Sequence, residues 1–300
     1  MVEADSSTYL LGRPVGKLAA PYRGEDLAFG ATRLDGSRID DGNFSHCTFV
    51  NISFKNVVLR NSNFLNCVYI GCYFRRAEFI SSHFVGCKFV DCNFSHVAIK
   101  SCDFKHSSFR GCQLPFSEFR HSFPSEPNLL EEVSRNLSIE SSQLGLSSEA
   151  RQYRMTEIRA REAHLKAAIL GESRWYKEHF DGFARVRALA QLSLSLANRW
   201  LWGYGERALV LVRNLLLLGV IVFPLMFWVS REGLLHATRS EITIWDALYF
   251  SLQNILPTGI QSEVTAVGTF VRICAGIEAF FGVVAVALFA SYVFRWSLHR

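Results

Sequence analysis

From Phe44 onward, every fifth residue of the chain is large and apolar. The series runs Phe44, Phe49, Phe54, Leu59, Phe64, Tyr69, Phe74, Phe79, Phe84, Phe89, Phe94, Ile99, Phe104, Phe109, Leu114 and Phe119. Leu34 and Ile39 carry the register backwards, with Phe29 as a weaker first member. A helix repeats every 3.6 residues and a half-buried strand every 2, so a period of five excludes both as the organising element. Two residues before each centre stands a second, smaller residue, as in Cys47, Ile52, Val57, Ser62, Cys67, Cys72 and Ala77. A short unit repeated this often must stack on its own copies to bury its large residues.

This small-x-large pattern resembles the pentapeptide-repeat family over about residues 29–123. The resemblance implies a right-handed quadrilateral β-helix, one pentapeptide per side and four per coil. Centres twenty residues apart, such as Phe44, Phe64, Phe84 and Phe104, would then stack. With strands about 4.8 Å apart, four coils would make a rod roughly 20 Å long. Pro124 and Pro127 break the pattern and begin a cap or linker.

Cys47, Cys67, Cys72, Cys87, Cys92, Cys102 and Cys112 all hold the small position. They share it with Ser, Ala, Val and Ile, and free cysteine behaves as a small buried hydrophobe. Spacings in multiples of five are not those of zinc ligands, so no metal is expected. Buried thiols left reduced point to the cytosol. His46, His96, His106 and His121 follow centres by two residues and are read as solvated. Some pentapeptide-repeat proteins resemble DNA and inhibit topoisomerases. Between Phe29 and Phe123, however, eleven Lys/Arg face seven Asp/Glu. That excess makes the rod positive and argues against DNA mimicry, and the chain's charge as a whole is too mild for a nucleic-acid partner to be expected.

The chain's net charge of +5 is mild. Its mean hydropathy of +0.14 hides an uneven distribution, because the apolar excess follows about Leu209. The N-terminus lacks a basic segment followed by an apolar core, so no secretory signal is read. Between rod and apolar region the residues favour helix. Helices are expected over Asn128–Leu137, over Glu149–Leu170 with Gly171 as its stop, and over Phe183–Trp202. The last sets Arg185, Arg187 and Arg199 beside an apolar stripe, which suits a membrane surface or a packed neighbour equally.

Ala208–Val229 and about Thr269–Phe294 are each long and apolar enough to cross a bilayer. Trp200, Trp202, Trp228, Trp245 and Trp296 sit at their edges, as in an aromatic belt. The Arg-rich stretch before the first span favours a cytoplasmic N-terminus, and two crossings return the C-terminus to that side. Between the spans lies WDALYFSLQNIL, Trp245–Leu256, apolar but too short to cross, and then PTGIQSE.

Span, short helix, loop and span resemble the two-span potassium-channel pore over about residues 208–296. Ala247 to Gln253 is similar to its pore helix, and Ile277-Glu278-Ala279 with Gly282 to its inner helix. The Gly-Tyr-Gly of Trp202-Gly203-Tyr204-Gly205-Glu206-Arg207 has no pore helix before it, so a bend into the membrane is expected there. The resemblance instead places the selectivity filter at Pro257, Thr258, Gly259, Ile260 and Gln261. Gln261 replaces a glycine of the family's filter, and Pro257 brings no N–H. Weak selectivity among monovalent cations is therefore expected. Glu263 would ring the pore mouth with carboxylates. Glu278 and Gly282 are the candidate inner-helix or gate residues, and an ionisable residue inside a span is functional by default.

These readings assemble into four segments: an N-terminal cap at 1–28, the β-helix at 29–123, a helical linker with an amphipathic surface helix at 124–206, and a membrane pore unit at 207–300. Such a chain would be a homotetrameric ion channel of the inner (plasma) membrane, with lipids and permeant ions as partners. A cytoplasmic protein or small molecule would be the rod's ligand, and no cofactor is implied. The rival is a membrane-anchored scaffold with a sealed pore. Neither a nucleophile elbow, a phosphate loop nor a metal-spaced cluster marks the chain as an enzyme.

Overall fold

The computed structural model describes residues 9–205, 208–239, 241–255 and 263–298. The chain divides into two compact units, Met1–Leu189 and Ala190–Arg300.

The first unit is built on the period of five. Each coil takes twenty residues, and parallel pairing joins residues twenty apart throughout: Phe29 to Phe49, Tyr69 to Phe89, Leu59 to Phe79, Phe44 to Phe64. Three sides are ladders of three-residue strands. The first runs through Ala28–Gly30, Thr48–Val50, Val68–Ile70, Lys88–Val90 and Ser108–Arg110. The second runs through Arg38–Asp40, Val58–Arg60, Glu78–Ile80 and Ala98–Lys100. Arg23–Glu25, Asn43–Ser45 and Asn63–Leu65 make the third. Single bridges from Arg33 through Ser53, Tyr73 and Asn93 to Gln113 close the fourth. The result is a four-sided β-solenoid of about four turns.

Its core is a column of rings. Phe44, Phe64, Phe84 and Phe104 stack with centroids 5.2, 5.0 and 5.0 Å apart. Phe29, Phe49, Tyr69, Phe89 and Phe109 form a second stack at 4.7–5.2 Å. Rings on adjacent sides meet edge to face, as for Phe44 and Phe49 at 5.4 Å, both favoured arrangements for aromatic pairs. All seven repeat cysteines are free and buried. Their thiols also explain why cysteine and serine alternate in the small position. Cys72 Sγ donates to Phe49 O, Cys87 Sγ to Phe64 O and Cys112 Sγ to Phe89 O, each to a centre carbonyl one coil back. Ser107 Oγ does the same to Phe84 O.

The solenoid turns its corners through left-handed backbone, two residues after each centre. Asn51, Asn56, Asn61 and Asn66 sit there with φ between 48° and 56°. His46, His96 and His106 are corner residues too, exposed and at φ 53–58°. Asn, Asp and His tolerate that region best after glycine, so the histidines mark backbone geometry as well as solvent. His121 differs: it lies in the 3-10 turn Arg120–Ser122. At Gly71, Gly86 and Gly111, a Cβ would fall 2.1–2.4 Å from the side-chain oxygen of Asn51, Asn66 and Asp91 one coil below. Glycine there gives the preceding corner's side chain room.

Both ends depart from the simple pattern. Strand Arg23–Glu25 precedes the first large centre, because its centre is Gly24 and the space is filled by Phe29, Phe44 and Cys47. At the other end, Phe119 keeps the period but reaches the core from a helical turn, α1 (Phe116–Phe119). Its ring closes on Phe104 and Phe109 at 5.0 and 5.6 Å.

The last coil's open edge is covered by α2 (Pro127–Gln143) and α3 (Ser147–Leu170). Asn136 acts as an artificial strand: its Oδ1 accepts from Phe109 N at 2.8 Å and its Nδ2 donates to Phe109 O at 3.0 Å. Glu140 and Glu149 accept from Gly111 N and Phe116 N, both at 2.7 Å, and Tyr153 donates to Leu114 O at 3.0 Å. A solenoid end must be finished in this way. The helix expected to stop at Leu137 continues to Gln143, since Ser134, Ser138 and Ser141 are buried small residues. Ser138 Oγ donates to Ala150 O of α3. Gly171 ends α3 at φ 63°, and a short helix, α4 (Arg174–His179), follows, which the composition alone does not reveal. Then comes α5 (Gly182–Trp202).

The second unit holds two helices long and apolar enough to cross a membrane, Ala208–Val229 and Thr269–Phe294. The first comprises α6 (Ala208–Leu216), a π-helical stretch at Leu217–Val222 and α7 (Phe223–Val229). The second lies in α9 (Thr269–Leu298). Only 28% and 22% of their most apolar windows are buried. A core helix of a water-soluble domain would be mostly covered. Between them stands α8 (Ile244–Ile255).

Candidate functional site

Helix α8 begins with a capping box. Thr243 N and Oγ1 donate to Asp246 Oδ2 at 2.9 and 2.7 Å, and Asp246 N returns a bond to Thr243 Oγ1 at 3.3 Å. The Thr243 hydroxyl and N–H hold the Asp246 carboxyl below its usual range. The helix is set between the two long helices by an antiparallel strand pair, Leu234–His236 with Val264–Ala266. Gly233 O accepts from Val267 N and Gly268 N at 2.9 and 3.0 Å. A Cβ on Gly268 would fall 2.9 Å from Gly233 Cα, so the two chain segments meet as bare backbone.

The far end of α8 packs between two glycines. A Cβ on Gly219 would approach Ile255 Cδ1 to 2.7 Å, and one on Gly282 would approach Ile255 O to 2.1 Å. Gly282 is thus a close-approach position for the end of α8. Phe250 of α8 sets its ring edge on to Phe227 of α7 at 5.1 Å. Val271, Cys274, Glu278, Gly282 and Ala285 form the buried stripe of α9, at helical spacing. Phe270, Ile273, Ile277, Phe280 and Val283 on its other faces are apolar and exposed.

Glu278 is fully buried. Its Oε1 bonds to Ser251 Oγ and its Oε2 accepts from Asn254 Nδ2 at 3.3 Å, both on α8. Ser251 Oγ also donates to Gly219 O at 2.9 Å. Four polar groups from three helices, Gly219 O, Ser251, Asn254 and Glu278, therefore meet there. Glu278, a candidate inner-helix residue, is thus bonded to the short helix α8.

Glu263 is 72% exposed at the strand pair, with Oε2 3.5 Å from Nε2 of the buried His236. His236 Nε2 is also 3.9 Å from Asp246 Oδ1. The expected filter, Pro257, Thr258, Gly259, Ile260 and Gln261, lies outside the described residues. The bend expected at Gly203-Tyr204-Gly205 is a 3-10 turn in which Gly203 and Tyr204 both take positive φ, 56° and 59°. Asn214 Nδ2, on α6, donates to Trp200 O and to Leu201 O at the end of α5.

Sequence reasoning missed Ser251, Asn254, His236 and Asn214. The available signal was polar residues in apolar helices, with Ser251 and Asn254 three apart and so on one face.

The period of five has an independent match. Two family models described as pentapeptide repeats fit the chain, one of nine copies at residues 54–98 and one of eight copies at residues 87–122. The chain carries a pentapeptide-repeat domain. Among solved structures, the chain is similar to a pentapeptide repeat protein from the Arabidopsis thaliana thylakoid lumen. The identity is 20% and the TM-score 0.24, over 28% of this chain and 55% of that one. It is also similar to QnrB1, a plasmid-mediated fluoroquinolone resistance protein, in its trypsin-treated form. Here the identity is 24% and the TM-score 0.19, over 31% of this chain and 50% of that one. Full-length QnrB1 matches at 24% identity and TM-score 0.14, over 29% and 48%. The chain thus spans about half the length of the solved structures it matches. No curated protein matches it in a sequence comparison.

Proposed function

We propose that the second unit, assembled as a homotetramer, is the pore of a membrane cation channel that the pentapeptide-repeat domain gates or modulates. The observation that carries this reading is α8, a twelve-residue helix held between two apolar helices and ending against both of them at Gly219 and Gly282. Such a helix is too short to cross a bilayer, and its last residue, Ile255, is packed between the two long helices. One chain supplies one copy of that segment, and a ring of oxygens around an ion needs several. The exposed apolar faces of α9 suit lipid and neighbouring copies.

In this reading Pro257–Gln261 lines the narrow part of the pore and Glu263, exposed beside it, supplies a ring of carboxylates that gathers cations. Gln261 and Pro257 weaken the carbonyl stack, so discrimination among monovalent cations is poor. The N- and C-termini and the repeat domain lie in the cytoplasm, where the domain takes a protein or small-molecule ligand.

The test is ion flux through the full-length chain reconstituted in liposomes. Potassium and sodium should both pass and chloride should not. Glu263→Gln should lower cation flux most at low salt, where screening is weakest. Absence of flux from correctly inserted protein would refute the pore and leave a membrane-anchored scaffold. Chloride selectivity would refute the role of Glu263.

A further inference from the structure

The hydrogen bonds that join the three helices require more protons than Ser251 carries. In the π-helical stretch, Phe223 N donates to Leu218 O, five residues back. The next donor along the chain would be residue 224, and Pro224 has no N–H. Gly219 O is therefore stripped of the partner that either helix type would give it. Ser251 Oγ, at 2.9 Å, takes that place.

Ser251 has a single hydroxyl proton. A carboxylate at Glu278 would be an acceptor only, as Gly219 O is. Gly219 O and Glu278 Oε1 would then compete for one proton, and the losing oxygen would stay unpaired at a cost of about 1–3 kcal/mol, more if charged. We infer that Glu278 is the protonated acid in the folded protein and ties the short helix to both long helices. The relay then runs one way. Glu278 Oε1–H donates to Ser251 Oγ, and Ser251 Oγ–H donates to Gly219 O. Asn254 Nδ2–H donates to Glu278 Oε2. Every group has its partner, and no charge is buried among apolar residues.

The charged side chains of the surrounding helices are engaged elsewhere. Arg213 on α6 bonds to Asn214, Asp246 on α8 to Thr243, and Arg272 on α9 to Ala266 O. Among the described residues, none of them supplies a counter-charge to Glu278. Glu278 is thus a positioning residue. It sets where α8 ends, and so where the following segment begins. That consequence for conduction rests on the pore reading; the protonation does not.

The test is infrared difference spectroscopy of the full-length chain in lipid, wild type against Glu278→Gln, at neutral pH. Gln keeps a donor for Ser251 Oγ and an acceptor for Asn254 Nδ2, so the variant should fold and keep its thermal stability. The expected difference is loss of one carboxylic-acid carbonyl band with no loss of carboxylate bands. Loss of a carboxylate band would overturn the inference. Ser251→Ala gives a second reading on a chain that keeps Glu278. The acid band should shift to higher frequency when its acceptor is removed, and an unshifted band would contradict the relay. These bands are read whether or not ions cross, so a failure here is distinct from a failure of flux.

Discussion

The two units of this protein solve the same problem, burying what water disfavours, in opposite ways. In the repeat domain each side chain of the core finds its partner twenty residues away in the same chain. The aromatic stacks, the thiol–carbonyl bonds and the αL corners all repeat, and the loose end is finished by Asn136, Glu140, Glu149 and Tyr153. In the second unit the single-chain packing is complete only on one stripe of α9, while its remaining apolar faces stay open. Inside it, Gly219 O, Ser251, Asn254 and Glu278 are bonded to one another. Local self-completion suits a rod that can stand in water. An open apolar exterior with a small polar knot inside suits lipid and further copies.

The sharpest way to break this contrast is to damage the rod's column. Phe84 is fully buried and stacks on Phe64 and Phe104, each at 5.0 Å. Phe84→Ala should cost about 3–5 kcal/mol. Hydrogen exchange should show lost protection across neighbouring coils and none in α8 or α9. Equal loss in both units would mean that they are one cooperative body. A smaller effect is expected from the cap. Asn136→Ala frees Phe109 N and O at the solenoid's edge and should cost about 1–3 kcal/mol. The loss of protection should be greatest in the last coil and fade towards the first, as nearest-neighbour stacking requires. Uniform loss would refute that.

Tyr69 sharpens the comparison from the other side. Its hydroxyl is buried with no hydrogen-bond partner among the described residues, in a stack otherwise made of Phe. Tyr69→Phe should therefore stabilise the rod by about 1 kcal/mol in denaturant unfolding. Destabilisation would show that the hydroxyl is bound. The smallest effect concerns pH. Burial pushes the Cys102 thiol up from its ordinary value. The unfolded chain then loses this proton first. Any stability due to the neutral thiol is complete below the unfolded value of about 8.5 and falls as pH rises above it, by at most about 1.4 kcal/mol per pH unit. Cys102→Ser should flatten that alkaline decline, and an unchanged slope would assign it to other groups.

How much was legible beforehand differs between the units for a physical reason. A stacked solenoid writes its contacts into the sequence at a constant interval, so the centres, the small position and the twenty-residue coil could all be read. Reading failed where an interval position is filled without a large side chain, as at Gly24, or where the period continues on a helix, as at Phe119. It also missed that the residue two after each centre is a corner, which made His46, His96 and His106 look like mere surface. In the second unit, hydropathy was enough for both long helices and for α8. The knot of Gly219, Ser251, Asn254 and Glu278 was not readable. Its bonded partners lie 24–32 residues apart, with no interval to link them. The Gly219 carbonyl at its end is freed by a π-helical stretch that leaves no mark beyond Pro224.

The most direct test of the proposed pore is the mass of the full-length protein in lipid nanodiscs, measured by native mass spectrometry. A ring built from one short segment per chain predicts four copies of the 34.0 kDa chain, held together in lipid and persisting when Phe84→Ala disrupts the rod. A single copy per disc would contradict it, because one chain cannot enclose an ion.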